Sequence, residues 1–284
     1  MTPPSHADQF TKTPNVSGQF YSDNPKELSV DIDQYFKQAD IKPFTRPINL
    51  IIAPHAGYFY SGPVAAYSFK AVSQNIYKTI IILAPSHYLG FDGISIWPKG
   101  AFETPLGSVA VDQEFAAKLI AQNSKFYFEP KAFDKEHSVE VEIPFLQKTF
   151  KDFKIVPVIM GQPSFELLKN FATALNKTIG NRKDVLIVVS TDLSHYHNDK
   201  TARQMDARSL EAVEELNVES LWAGHQQGTM EMCGVVPVTA AIFYAKEKGL
   251  DTVTQLHYGN SGDVTDEKNR VVGYGSMAIY NSHE

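Results

Sequence analysis

Short apolar runs rich in β-branched residues recur along the chain and alternate with stretches of helical periodicity. Ile48-Asn49-Leu50-Ile51-Ile52, Thr79-Ile80-Ile81-Ile82-Leu83, Ile155-Val156-Pro157-Val158-Ile159 and Val185-Leu186-Ile187-Val188-Val189 are nearly unbroken apolar segments. Runs of this kind suit strands covered on both faces. Between them, apolar residues at helical spacing predict helices over Pro25–Gln38 (Leu28, Ile32, Phe36), Gly62–Ser73 and Ser164–Ile179 (Phe165, Leu168, Phe171, Ala172, Leu175, Ile179). Further helices are predicted over Asp134–Phe150, Ala202–Leu216 and Val236–Lys248. Two strands, Thr252–Tyr258 and Val271–Tyr280, close the chain around the polar turn Asn260-Ser261-Gly262-Asp263. Pro157 has no N–H to donate, which predicts an edge or a bulge for its strand. Gly93–Val111 breaks the alternation and reads as an inserted hairpin or loop region.

Strands alternating with helices predict an α/β fold with a mainly parallel central sheet and helices on both faces. No internal repeat or linker divides the chain. A flexible or loosely docked arm over residues 1–18 and a single α/β domain over residues 19–284 are expected.

Composition narrows the function classes. The 284 residues are 43% hydrophobic and 20% charged, with a net charge of −6. An acidic balance without basic runs argues against nucleic acid as a partner, because phosphate contacts need clustered Lys and Arg. No stretch approaches the about 18 apolar residues of a membrane span, and the N-terminus has no secretory pattern. A cytoplasmic location follows by default. The single cysteine, Cys233, forms no internal disulfide.

The histidines carry the clearest chemical signal. His55, His87 and His195 each follow a predicted strand within a few residues. In open α/β sheets, ligands bind outside the carboxyl ends of the strands. Three imidazoles at equivalent strand ends are expected to converge there, where neutral imidazole is the commonest metal ligand. The alternative is that each is an ordinary polar residue of a strand-end loop. Cys233 sits in a Gly- and Pro-containing loop entering a helix, where a thiol ionises more readily and can ligate; otherwise it is a small buried hydrophobe. In Asp134–Glu140, acidic residues of a first helical turn ordinarily complement the helix dipole; on the functional reading His137 and Glu140 face the pocket and orient another imidazole. Asp192 and His195 are three apart and would share a face of one helical turn, an arrangement suited to acid–base work. His197 is expected to face solvent. No Gly-rich phosphate loop, nucleophile elbow or dinucleotide fingerprint is present.

Taken in order, Ala53-Pro54-His55-Ala56-Gly57-Tyr58 with Tyr60-Ser61-Gly62, Pro85-Ser86-His87, Thr104-Pro105-Leu106-Gly107, Glu136-His137-Ser138, Ser190-Thr191-Asp192-Leu193-Ser194-His195 and Cys233-Gly234 resemble the Memo-like family. Its prokaryotic members are called AmmeMemoRadiSam system protein B. The resemblance covers nearly the whole chain. It implies a fold similar to class III extradiol dioxygenases, the LigB-like group, which bind non-haem Fe(II) through two histidines and a glutamate. In the family a cysteine stands where that glutamate would be. By motif, His55, His87 and Cys233 are then the expected metal ligands, His195 with Asp192 the acid–base pair, and His137 a further pocket residue. Leu193-Ser194 and Tyr196 stand where the eukaryotic form has Phe-Cys and Trp, which alters the expected pocket lining.

The resemblance implies an Fe(II) cofactor, with Cu or Zn as alternatives. It leaves three functions open: a metal-dependent redox enzyme of the dioxygenase type, a non-catalytic metal- or peptide-binding adaptor, and a zinc-dependent hydrolase. A small-molecule or peptide ligand in the pocket is expected. The prokaryotic family name implies association with radical-SAM and AMMECR1-like proteins.

Overall fold

The apolar runs lie side by side in a nine-stranded sheet of the computed structural model, which describes residues 10–283. In chain order the elements are β1 (Thr11–Lys12), α1 (Pro25–Gln38), β2 (Leu50–Ala53), α2 (Tyr58–Ala71), β3 (Thr79–Pro85), β4 (Ile94–Ile96), β5 (Ala101–Thr104), β6 (Gly107–Ala110) and α3 (Gln113–Ile120). There follow β7 (Phe126–Tyr127), α4 (Glu142–Thr149), β8 (Lys154–Met160), α5 (Phe165–Ile179), β9 (Val185–Ser190) and β10 (His195–His197). The chain ends with α6 (Asp199–Glu214), α7 (Val218–Gln226), α8 (Val235–Lys248), β11 (Thr252–Asn260) and β12 (Val271–Tyr280).

The sheet runs β10-β12-β2-β9-β3-β8-β4-β7, with β11 also on β12. It is mixed rather than mainly parallel. The four central strands β2, β9, β3 and β8 are mutually parallel, whereas β12 pairs antiparallel with β2 and β4 antiparallel with β8. β11 and β12, joined directly through residues 261–270 without a crossover, also pair antiparallel. The parallel strands are buried along their whole length apart from Lys154, as continuous apolar runs require.

Alternate residues of these strands feed two cores. Leu50, Ile52, Ile81 and Leu83 pack with α3, α5, α7 and α8. Ile51, Ala53, Ile80 and Ile82 pack with α1, α2 and α4. The period of two in a strand separates the sets and puts helices on both faces.

Several sequence expectations change. β8 is an interior strand, not an edge. Pro157 is tolerated because the Trp97 N–H donates to its carbonyl (3.0 Å) where β4 is ending, so its missing N–H removes one bond from the rim of a short pairing. The helix expected over Asp134–Phe150 is helical only from Glu142, because Glu136 takes the backbone N–H groups of His137 and Ser138 on its side chain and holds that stretch as a turn. The inserted region forms the β5–β6 hairpin, with β1 alongside β5 in a small second sheet. Of the expected arm, residues 1–9 lie outside the described residues. The rest is docked: Asn15 and Val16 donate backbone N–H groups to the buried Glu140 carboxylate. Among the described residues no helix is long and apolar enough to cross a membrane.

Candidate metal centre

Parallel alignment of β2, β9 and β3 brings three carboxyl ends to one rim. His55 lies just past β2, Asp192 past β9 and His87 past β3. With β9 between them, the outer two strands stand roughly 10 Å apart, two inter-strand spacings. Their imidazoles lean inward over the end of β9, and the ring centroids of His55 and His87 are 5.1 Å apart. His137, from the turn before α4, closes the group: its ring lies 5.5 Å from that of His55 and is stacked 5.0 Å from that of His87. One ring nitrogen from each of the three can be chosen so that all lie within 4.8 Å of one another.

The hydrogen bonds around these rings decide which nitrogens are available. Ser190 donates its only hydroxyl hydrogen to the Ser138 carbonyl at 2.7 Å. Its contact with His55 Nδ1, also 2.7 Å, must then be a bond donated by the imidazole. His55 therefore carries its proton on Nδ1 and a lone pair on Nε2. Glu136 likewise fixes a proton on His87 Nδ1, which donates to Oε1 at 2.8 Å, and the His87 backbone N–H donates to Oε2. A carboxylate behind a ligating histidine fixes the ring and raises its basicity. His137 Nδ1 is buried without a hydrogen-bond partner.

Cys233 belongs to the same cluster. Its Sγ lies 3.3 Å from His55 Nε2 and accepts the Asp192 backbone N–H at 3.2 Å. The approach depends on Gly234, where a Cβ would lie 2.5 Å from Thr191 Cβ and 2.8 Å from the Ser190 carbonyl oxygen. The expected easy ionisation of this thiol is not found. Burial and the nearby Asp192 carboxyl push its pKa up, outweighing the helix start. Ligation to a cation would reverse that balance.

Charge is arranged unevenly. Burial drives His55 well below the ordinary imidazole value, helped by the neighbouring histidines, so it is neutral at physiological pH. Burial holds His137 down to about 4. For His87 burial acts in the same direction but is overcome by Glu136, and the pKa rises. Glu136 is raised by burial, yet its bonds from His87 and Ser138 bring it to about 2. Burial lifts Asp192 to about 6, against the pull of His195 and the backbone N–H of His55.

Three expectations are corrected here. Asp192 and His195 do not share a helical turn: the segment is not helical, and the Asp192 Oδ1 accepts the His55 N–H at 2.9 Å, although His195 is close enough to pull the Asp192 pKa down. His195 instead lies beside Glu231, which accepts its backbone N–H at 3.2 Å. His197 is not free in solvent, since its Nε2 is 2.8 Å from Glu231 Oε2. Glu140 orients no imidazole and anchors the N-terminal segment through Val16 and the Tyr21 hydroxyl (2.6 Å). That segment brings Phe20 edge-on against His137, 4.9 Å between centroids. Sequence reasoning gave no role to Glu136, Ser190 or Glu231. Glu136 and Ser190 lie inside the motifs, beside His137 and Asp192, and that adjacency is the signal in the sequence.

The cluster could hold a metal ion: three imidazoles offer ring nitrogens within 4.8 Å of one another, and a thiol lies beside one of them. A family model described as Memo-like protein matches residues 12–278. The chain belongs to the Memo-like family. It is 35% identical over 277 residues to a MEMO1 family protein of Saccharolobus solfataricus, covering 93% of this chain and 97% of that protein. It is 34% identical over 276 residues to a MEMO1 family protein of Saccharolobus islandicus, with the same coverages. A MEMO1 family protein of Caldivirga maquilingensis is 31% identical over 279 residues, 95% of this chain and 99% of that protein. The Memo-like match spans every strand and helix that builds the centre.

Proposed function

We propose that this Memo-like protein is a metal-dependent redox protein of the extradiol-dioxygenase type, with His55, His87 and Cys233 as ligands and Fe(II) as the resident ion. The observation that carries the reading is the pair of engaged Nδ1 atoms, His55 on Ser190 and His87 on Glu136, which leaves Nε2 as the nitrogen each ring can offer an ion within one cluster. When bound, the ion would supply Lewis acidity and open coordination positions for oxygen and a chelating substrate. His137 lines the same space. His195, with a side chain 28% exposed and close enough to His55 and Asp192 to act on their charge, is the group able to move a proton to or from a bound molecule. The Asp192 carboxyl keeps the His55 loop in register through the His55 N–H. Phe20 and the docked N-terminal segment wall the pocket off on the His137 side.

The thiol next to His55 Nε2 supports a second reading, a softer ion such as Zn or Cu(I). With zinc the protein would be a hydrolase or a non-catalytic binding module. Anaerobic purification followed by metal analysis separates these readings. The expected result is close to one iron per chain, lost in a His55→Ala/His87→Ala variant, with oxygen uptake on a catechol panel. Zinc or copper in the native protein, with no uptake after iron loading, overturns the dioxygenase reading. Equal metal in the double variant overturns the site itself.

A further inference from the structure

Glu142 is a buried carboxyl group that the centre described above does not use. It occupies the first position of α4, where an exposed glutamate would stay ionised beside the free N–H groups of the helix start. Here the side chain is completely buried, and neither carboxyl oxygen has a hydrogen-bond partner. An ionised carboxylate with both oxygens unpaired would bear a large desolvation cost. The polar groups facing it are the Ser190 hydroxyl from β9, the Asp192 carboxyl beyond β9 and the Tyr58 hydroxyl from α2. Tyr58 has already given its hydrogen to the Val141 carbonyl at 2.6 Å. Ser190 has given its own to the Ser138 carbonyl and receives the His55 Nδ1–H, which leaves one lone pair on Oγ. No donor remains for a carboxylate, but an acceptor remains for a carboxylic acid.

We propose that Glu142 is a positioning residue for His55, a neutral carboxylic acid that donates its proton to the last lone pair of Ser190. This rests on the metal-centre reading for its purpose but not for its geometry. The acid keeps the Ser190 hydrogen on the Ser138 carbonyl and so keeps His55 as the Nδ1–H tautomer. It also leaves no net charge behind this imidazole. Burial raises the Glu142 pKa well above the ordinary value; closeness to the Ser190 hydroxyl acts in the opposite direction and is outweighed, and Asp192 adds to the rise.

Two measurements test this without metal. The infrared spectrum at neutral pH should contain a protonated-carboxyl band that disappears in Glu142→Gln, and nitrogen-15 NMR should show His55 protonated at Nδ1 in both proteins. A missing band means that Glu142 is ionised and overturns the proposal. Co(II) titration then tests the purpose. Glu142→Gln should bind within about twofold of wild type, Glu142→Leu about threefold more weakly and Ser190→Ala about tenfold more weakly. Adding Glu142→Leu to Ser190→Ala should cost nothing further, because the effect runs through Ser190. A Gln variant as weak as the Leu variant, or additive losses, overturns the proposal. If Glu142→Leu does not fold, the Gln variant and the two spectra decide it. If no protein binds Co(II), the metal reading fails while the spectra still decide the state of Glu142.

Discussion

His55 and His87 sit ring to ring, yet the two strand ends hold them by opposite means. On the β2 side the imidazole is sealed from solvent and backed by a neutral group: His55 is 1% exposed and its Nδ1 rests on a serine hydroxyl. On the β3 side the imidazole is partly open to solvent, and a buried carboxylate takes both its Nδ1–H and its backbone N–H. One ligand is thus kept neutral by desolvation, whereas the other is made basic by a charge. A hydroxyl behind His55 adds no further charge to a space that already holds the buried Asp192 and Glu136 carboxyl groups. The contrast gives a site whose halves should respond differently to mutation.

The largest effect is expected from Glu136→Ala. It leaves His87 Nδ1 and the backbone N–H groups of His87, His137 and Ser138 without their acceptor. Metal affinity should fall by about a hundredfold, the upper end for an outer-shell partner. Stability measured by urea unfolding should fall by about 3 kcal/mol, as for a broken buried pair. Ser190→Ala strikes the neutral half and should weaken metal binding only about tenfold, with a stability loss of about 1 kcal/mol. Equal losses in the two variants would erase the contrast.

Glu140→Gln probes the wall rather than the ligands. Loss of charge-assisted bonds from Val16 and Tyr21 should cost about 2 kcal/mol and expose the segment around Val16 to protease, with little change in metal affinity. A large drop in affinity would mean that the N-terminal segment takes part in binding.

The smallest and most specific effect is on pH dependence. The folded pKa of Glu142 lies above its unfolded value, so the native state holds the extra proton. Its contribution to stability is complete below pH 4.5 and is lost as the pH rises toward the folded value. Unfolding midpoints of wild type and Glu142→Gln, compared from pH 4.5 upward, should diverge in favour of the variant at up to about 1.4 kcal/mol per pH unit. Parallel curves would show that the proton is not retained.

Much of the site's raw material was legible along the chain. The apolar runs announced the central strands, and a histidine just beyond two of them announced His55 and His87, because strand ends in such sheets open onto a shared crevice. The Cys233 loop was legible from its glycine and proline. The roles of the carboxylates were not. Glu136, Glu140 and Glu142 alternate within one short stretch, look alike in sequence, and do three different things: one clamps His87, one anchors the N-terminal segment and one is sealed behind Ser190.

The sequence alone therefore determined the α/β class, most of the strands and helices, and the two imidazoles at neighbouring strand ends. These follow from periodicities and side-chain chemistry that act over a few residues. Only the tertiary structure decided the antiparallel flanks, the place of His137 beside His55 and His87, the partners of Asp192 and His195, and which nitrogens are free. Those depend on contacts between residues far apart in the chain: Ser190 meets Ser138 across 52 positions and His55 across 135. A hydroxyl has one hydrogen to give, and where it goes is set by what the fold places around it.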